Sequence, residues 1–176
     1  MMTKSIRLWA GFALATVAAF SQSPSVTETK SYGGAAVSIK YASPRVNGRA
    51  GKIFSADGLI SHDRTYPVWR AGANSATALH TEADLNLGGL VVPKGDYTLF
   101  VELSNPGQWQ LVVSKQTGQW GLSYSAANDL GRVKMTMAKP AELVENLKYT
   151  LTGEGKKGTL QLEWENVKAS VPVEVK

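Results

Sequence analysis

The chain has 176 residues, 43% hydrophobic and 19% charged, with 19 basic against 14 acidic side chains and no cysteine. That length suits one domain able to bury a core without covalent staples, and the lack of cysteine excludes both disulfide support and a lipid-anchored lipoprotein start. The basic residues are scattered, Lys156-Lys157 being the only adjacent pair, so no stripe that could neutralise a phosphate backbone exists and nucleic acid is excluded as a partner.

Residues 1–21 read as a secretory signal peptide. Lys4 and Arg7 form a positive start, Leu8 to Phe20 is an apolar run of 13 residues, and Ala19 and Ser21 place small residues where a signal peptidase inspects the chain. The run is short of the roughly 20 residues a helix needs to cross a bilayer, and no second one follows, so no membrane span is expected. With cleavage before Gln22, 17 basic residues remain against 14 acidic, and the net charge falls from +5 to +3. The expected location is outside the cytoplasm, periplasmic or extracellular.

Residues 22–34, rich in Ser, Thr and Gly, read as a flexible lead-in or a frayed first strand. From residue 35 to 176 the dominant period is two, as in half-buried strands. Val37, Ile39 and Tyr41 share one face. Tyr97, Leu99, Val101 and Leu103 oppose Thr98, Phe100, Glu102 and Ser104. After the turn at Asn105-Pro106-Gly107 the alternation resumes with Trp109, Leu111 and Val113. Val133, Met135 and Met137 follow, then Leu143, Leu147, Tyr149 and Leu151, then Leu160, Leu162 and Trp164, and last Val171, Val173 and Val175. Pro172 lacks an amide hydrogen, which places the last strand at an edge or the proline on its unpaired side. About nine short strands without a helix predict an all-β, antiparallel sandwich, its order jelly-roll-like or immunoglobulin-like.

Two segments break the alternation. In Tyr41 to Arg49, Pro44 ends a strand and Asn47-Gly48 makes a turn flanked by Arg45 and Arg49, whose planar guanidinium groups suit a carboxylate or phosphate. In Tyr66 to Thr77, Trp69, Arg70 and Asn74 sit on one loop, a ring for stacking beside groups that read polar atoms, and Gly72 permits backbone conformations other residues resist. Trp120, in Gly118-Gln119-Trp120-Gly121, is a further exposed candidate, whereas Trp109 and Trp164 follow strand parity inward. The structural alternative is that each arginine pairs with a neighbouring carboxylate, that Trp69 plugs the sandwich and that Asn74 bonds loop backbone.

Catalytic and metal signatures are weak. Serines are available, but only His62 and His80 could serve as base and no Gly-x-Ser-x-Gly elbow occurs. His80 and Glu82 would share a strand face without a third ligand, so neither a metal nor a cofactor is assigned.

The segments Ser43-Pro44-Arg45, Gly48-Arg49, Ile53-Phe54, Trp69-Arg70, Gly72-Ala73-Asn74, Ala76-Thr77 and Pro93-x-Gly95-x-Tyr97-x-Leu99 together resemble the bacterial domain-of-unknown-function family 2911. The likeness runs from about Val37 to the C-terminus and includes Trp109, Trp120-Gly121 and Trp164-Glu165. It implies an exported β-sandwich and no activity. Two departures stand out: Lys115 follows Ser114 where an Asn-Lys pair is usual, and His80 replaces an apolar or hydroxyl residue.

These readings favour a non-catalytic module binding a small polar or anionic ligand, a glycan or a peptide carboxylate, through Arg45, Arg49, Trp69, Arg70, Asn74 and Trp120. One alternative is an envelope hydrolase with Asp63 or Glu82 as base and an arginine as electrostatic stabiliser. Another is a structural or interaction module whose arginines only tie loops. The oligomeric state is open.

Overall fold

The computed structural model describes residues 22–176; the expected signal peptide lies outside them. The strands are β1 (Ser25–Tyr32), β2 (Ala35–Ala42), β3 (Val68–Trp69), β4 (Thr77–Thr81), β5 (Leu85–Leu87), β6 (Leu90–Val92), β7 (Gly95–Glu102), β8 (Gln110–Ser114), β9 (Asp129–Lys134), β10 (Thr136–Ala138), β11 (Val144–Glu154), β12 (Lys157–Glu165) and β13 (Val167–Val175). Two short 3₁₀ turns, Ile60–His62 and Ala126–Asn128, interrupt the loops. All pairings are antiparallel. One sheet has the order β1-β2-β4-β7-β8-β9 with β3 also on β7, and the other has β11-β12-β13-β5-β6 with β10 also on β13. The chain changes sheet after β4, β6 and β9, and the two sheets face each other as a sandwich.

The expected all-β sandwich is therefore present, with thirteen strands among the described residues instead of about nine. β3, β5, β6 and β10 are two or three residues long, too short to display an alternation. β1 is a different case. Residues 22–34, read as a flexible lead-in or a frayed first strand, contain an eight-residue strand paired along its whole length with β2. Its inward residues Val26, Glu28 and Lys30 are only half-buried, so charged side chains stand where apolar ones would signal a strand. It ends on Tyr32, which is fully buried and donates from its hydroxyl to the Thr152 carbonyl at 2.8 Å.

Elsewhere parity is a good guide. Val37, Ile39, Tyr41, Leu99, Leu111, Leu160 and Val173 all enter one core. At Met135 the chain leaves the first sheet for the second while the inward parity begun at Val133 continues. Leu143 is exposed, against expectation, because it precedes the first residue of β11, Val144, and belongs to the connection after Pro140 instead of the strand. β13 is an interior strand. Pro172 sits where its flank passes from β10 to β5, so the missing amide hydrogen falls in a gap between partners.

At one end of the sandwich the long connection 43–67 folds inward on Val46, Ile53 and Ile60. Ser43 donates to the Leu147 carbonyl at 2.6 Å, and the buried Glu165 carboxylate accepts from the Gly51 amide. Phe54 from this connection packs on Trp69, Trp109 and Trp164, with ring centroids 5.4, 4.9 and 5.7 Å away. Trp69 and Trp164 lie stacked at 5.9 Å, one from each sheet. This corrects the reading of Trp69 as a stacking platform for ligand: its ring is 0% exposed and forms part of the core.

Candidate functional site

The outer face of the first sheet, not the arginine loops, carries the most developed polar surface. Cross-strand register sets Thr27, Lys40, Ala78, Thr98 and Ser114 in one row over β1, β2, β4, β7 and β8, with Thr29, Ser38, His80 and Asp96 in the next. Paired residues in an antiparallel sheet project to the same side, and here their strand neighbours Ile39, Leu79, Tyr97 and Leu99 are the ones buried in the core.

Farther along the same face, loop 115–128 folds over the sheet. Tyr124 packs edge-on against Phe100 at 5.0 Å, above Val68 and Val112. Arg132 holds this cover down, bonding Glu102, Asp129 and the Tyr124 hydroxyl. The Tyr124 hydroxyl is pushed up to about 12, first by burial and then by its bond to the Asp129 carboxylate, against the opposing pull of Arg132. Where the cover stops, small side chains leave the floor low. The result is a hollow of about 520 Å³ lined by Lys40, Asn74, Ser75, Ala76, Thr98 and Gln119, among others. It adjoins a second of about 380 Å³ that shares Lys40 and Ala78 and reaches His80 and Asp96.

The wall of the hollow is built where segments 69–77 and 117–121 are stitched together. The Gly121 amide donates to the Asn74 carbonyl at 3.0 Å, the Ala76 amide to the Gln119 carbonyl at 3.2 Å, and Ser75 bridges to Trp120. Ala71 and Asn74 both take positive φ, 50° and 58°. The turn is held by the Ala71 carbonyl, which accepts hydrogen bonds from the buried hydroxyls of Thr77 and Tyr149, each at 3.0 Å. Gly121 is required by contact: a Cβ there would lie 2.3 Å from Arg70 Cδ and 2.6 Å from the Asn74 carbonyl oxygen. Gly72 likewise serves close approach, to Thr77 and the Ala42 backbone, and its φ is not positive.

Within the hollow the polar groups are incompletely used. Thr98 donates to Gln119 Oε1 at 3.3 Å, while Gln119 Nε2 is buried without an acceptor among the described residues. Lys40 makes no ion pair among the described residues. His80 Nδ1 lies 2.7 Å from Asp96 Oδ1, with the two side chains 47% and 72% exposed.

The six residues singled out in the sequence scatter. Arg45 pairs with Glu145 at 3.3 Å, and Arg49 donates to the Val46 and Arg45 carbonyls at 2.9 and 2.7 Å. Both line a separate depression of about 290 Å³. Arg70 faces Asp63 at 3.7 Å and lies against Gly121, in no hollow with the other two. Trp69 is core. Asn74 lines the main hollow, while Trp120, 53% exposed, is not part of its lining and meets it only through the bridge to Ser75. Lys40, Thr98 and Gln119 were missed because polar residues at outward positions of a strand or in a turn look like ordinary surface. The acids considered as bases are engaged elsewhere, Asp63 with Arg70 and Glu82 with the Ala36 amide at 2.8 Å. No cluster of three metal-ligating side chains occurs among the described residues.

No curated protein and no solved structure is significantly similar to the chain. A family model described as protein of unknown function (DUF2911) matches residues 23–173, and the two stitched segments that wall the hollow fall inside that match. The chain belongs to this family.

Proposed function

We propose that the protein is an exported, non-catalytic binding module whose outer-face hollow takes a small polar ligand bearing a carboxylate or comparable anionic group. One observation carries this reading: Lys40 has no carboxylate partner among the described residues and lies in the same hollow as Asn74, Thr98 and Gln119. An unpaired ammonium beside a concave polar surface is the complement of a carboxylate or comparable anion. The arginines that first suggested an anion clamp serve the fold instead, since Arg45 and Arg70 face carboxylates and Arg49 bonds backbone.

A thermal-shift screen of organic acids, acidic sugars and short peptides tests the reading, with Lys40→Ala and Gln119→Leu variants as controls. At least one anionic class should raise the Tm of the parent protein and lose most of its effect in Lys40→Ala. If no compound stabilises the parent, or if Lys40→Ala responds equally, the hollow is not the site. Export is tested separately by cell fractionation and N-terminal sequencing, which should give a mature chain starting at Gln22.

A further inference from the structure

We infer that the ligand of this trough is a short peptide with free termini, held with its carboxylate at Lys40 and its ammonium at Asp96. This deepens the reading above and rests on it. The two adjoining hollows share Lys40 and Ala78, so they form one trough. One part offers donors from Lys40 and Asn74. The other holds Asp96, an acceptor that is 72% exposed and engages His80 through Oδ1. A purely anionic ligand would satisfy the first part and be repelled by the second, and a neutral glycan would use neither charge. A zwitterion satisfies both.

The spacing selects its length. Lys40, Ala78 and Thr98 lie in register on three neighbouring strands, and Asp96 is two residues from Thr98. With strands about 4.8 Å apart and about 3.4 Å per residue, the Cα atoms of Lys40 and Asp96 are about 12 Å apart. An extended peptide of two or three residues matches that separation, with the flexible Lys40 stem taking up the difference. The low floor of Ala76, Ala78 and Thr98 leaves room for its backbone, and Ser38 provides a hydroxyl along the way.

The test is an amide-resolved NMR titration with trialanine, N-acetyl-trialanine, trialanine amide, sodium acetate and an uncharged trisaccharide. Free trialanine should shift the amides of Lys40, Ala78, Asp96 and Gln119, and blocking either terminus should weaken binding about tenfold, the loss of one charge-assisted bond. In Lys40→Met the penalty for the C-terminal amide should vanish, and in Asp96→Asn the penalty for N-acetylation. Both residues are exposed, and circular dichroism verifies that the variants fold. Equal binding of blocked and free peptides, or shifts from acetate or the trisaccharide but not from trialanine, overturns the peptide assignment and leaves the binding site standing. If none of the five probes shifts trough amides, both readings fall.

Discussion

The Ala71 carbonyl shows how single atoms hold the wall of the trough. It sits at a positive φ on a non-glycine residue, which is costly, and two buried hydroxyls from different parts of the chain bond it. Tyr149→Phe removes one of them and should lower stability by about 1 kcal/mol, or about 2–4 °C in Tm. Combined with Thr77→Val the loss should exceed the sum of the single effects, because the carbonyl is then bare; additivity in thermal melts would contradict this account. Tyr124 and Tyr149 also set an alkaline limit. Burial is the largest cause raising both hydroxyls, Tyr124 to about 12, above the unfolded value of 10.0. Above pH 10 the unfolded chain therefore releases protons that the native state keeps, so stability is full below that pH and is lost as pH rises through about 12. Melts between pH 9 and 12 should fall steeply, and less steeply in Tyr124→Phe. At this scale the sequence was legible where parity ran long: Trp109 and Trp164 could be placed inside. Trp69 could not, since its strand is two residues long and no alternation surrounds it.

Among the elements, segments 69–77 and 117–121 act as one unit, whereas Arg45 and Arg49 of 41–49, the other loop singled out in the sequence, line a separate depression. Arg70 packs against Gly121, Asn74 receives the Gly121 amide, and Ser75 meets Trp120. Their density of polar and small residues was visible in the sequence, but its meaning was not. Such residues are needed as much for a tight loop-to-loop joint as for a site, and only the joint's position tells the two apart. Gly121→Ala forces a methyl group into Arg70 and the Asn74 backbone, and should cost about 1–3 kcal/mol while disrupting ligand-induced shifts at Gln119. A variant of parental stability and unchanged response would show that the joint does not position the wall. β1 illustrates the opposite failure. A strand whose half-buried face carries Glu28 and Lys30 lacks the apolar alternation on which recognition depends, although its register with β2 is complete.

For the molecule as a whole, the two sheets meet through one aromatic group, Trp69 from one and Trp164 from the other, closed by Phe54 from the 43–67 connection. Separating the sheets would expose all three rings at once, so unfolding by urea should be a single transition, with indole emission and far-ultraviolet dichroism superimposing; distinct midpoints would show that the sheets unfold independently. Sheet architecture was readable because nearly every long strand buries one face, whereas strand order depends on contacts between distant residues that periodicity does not record. Of the four tryptophans in residues 22–176, three are closed away and Trp120 alone is open, next in the chain to Gln119 and bridged to Ser75, both of which line the trough. The protein thus contains its own optical reporter: acrylamide should quench chiefly this one indole, and filling the trough should change its emission through the Ser75–Trp120 bridge, so that affinity can be followed without attaching any dye.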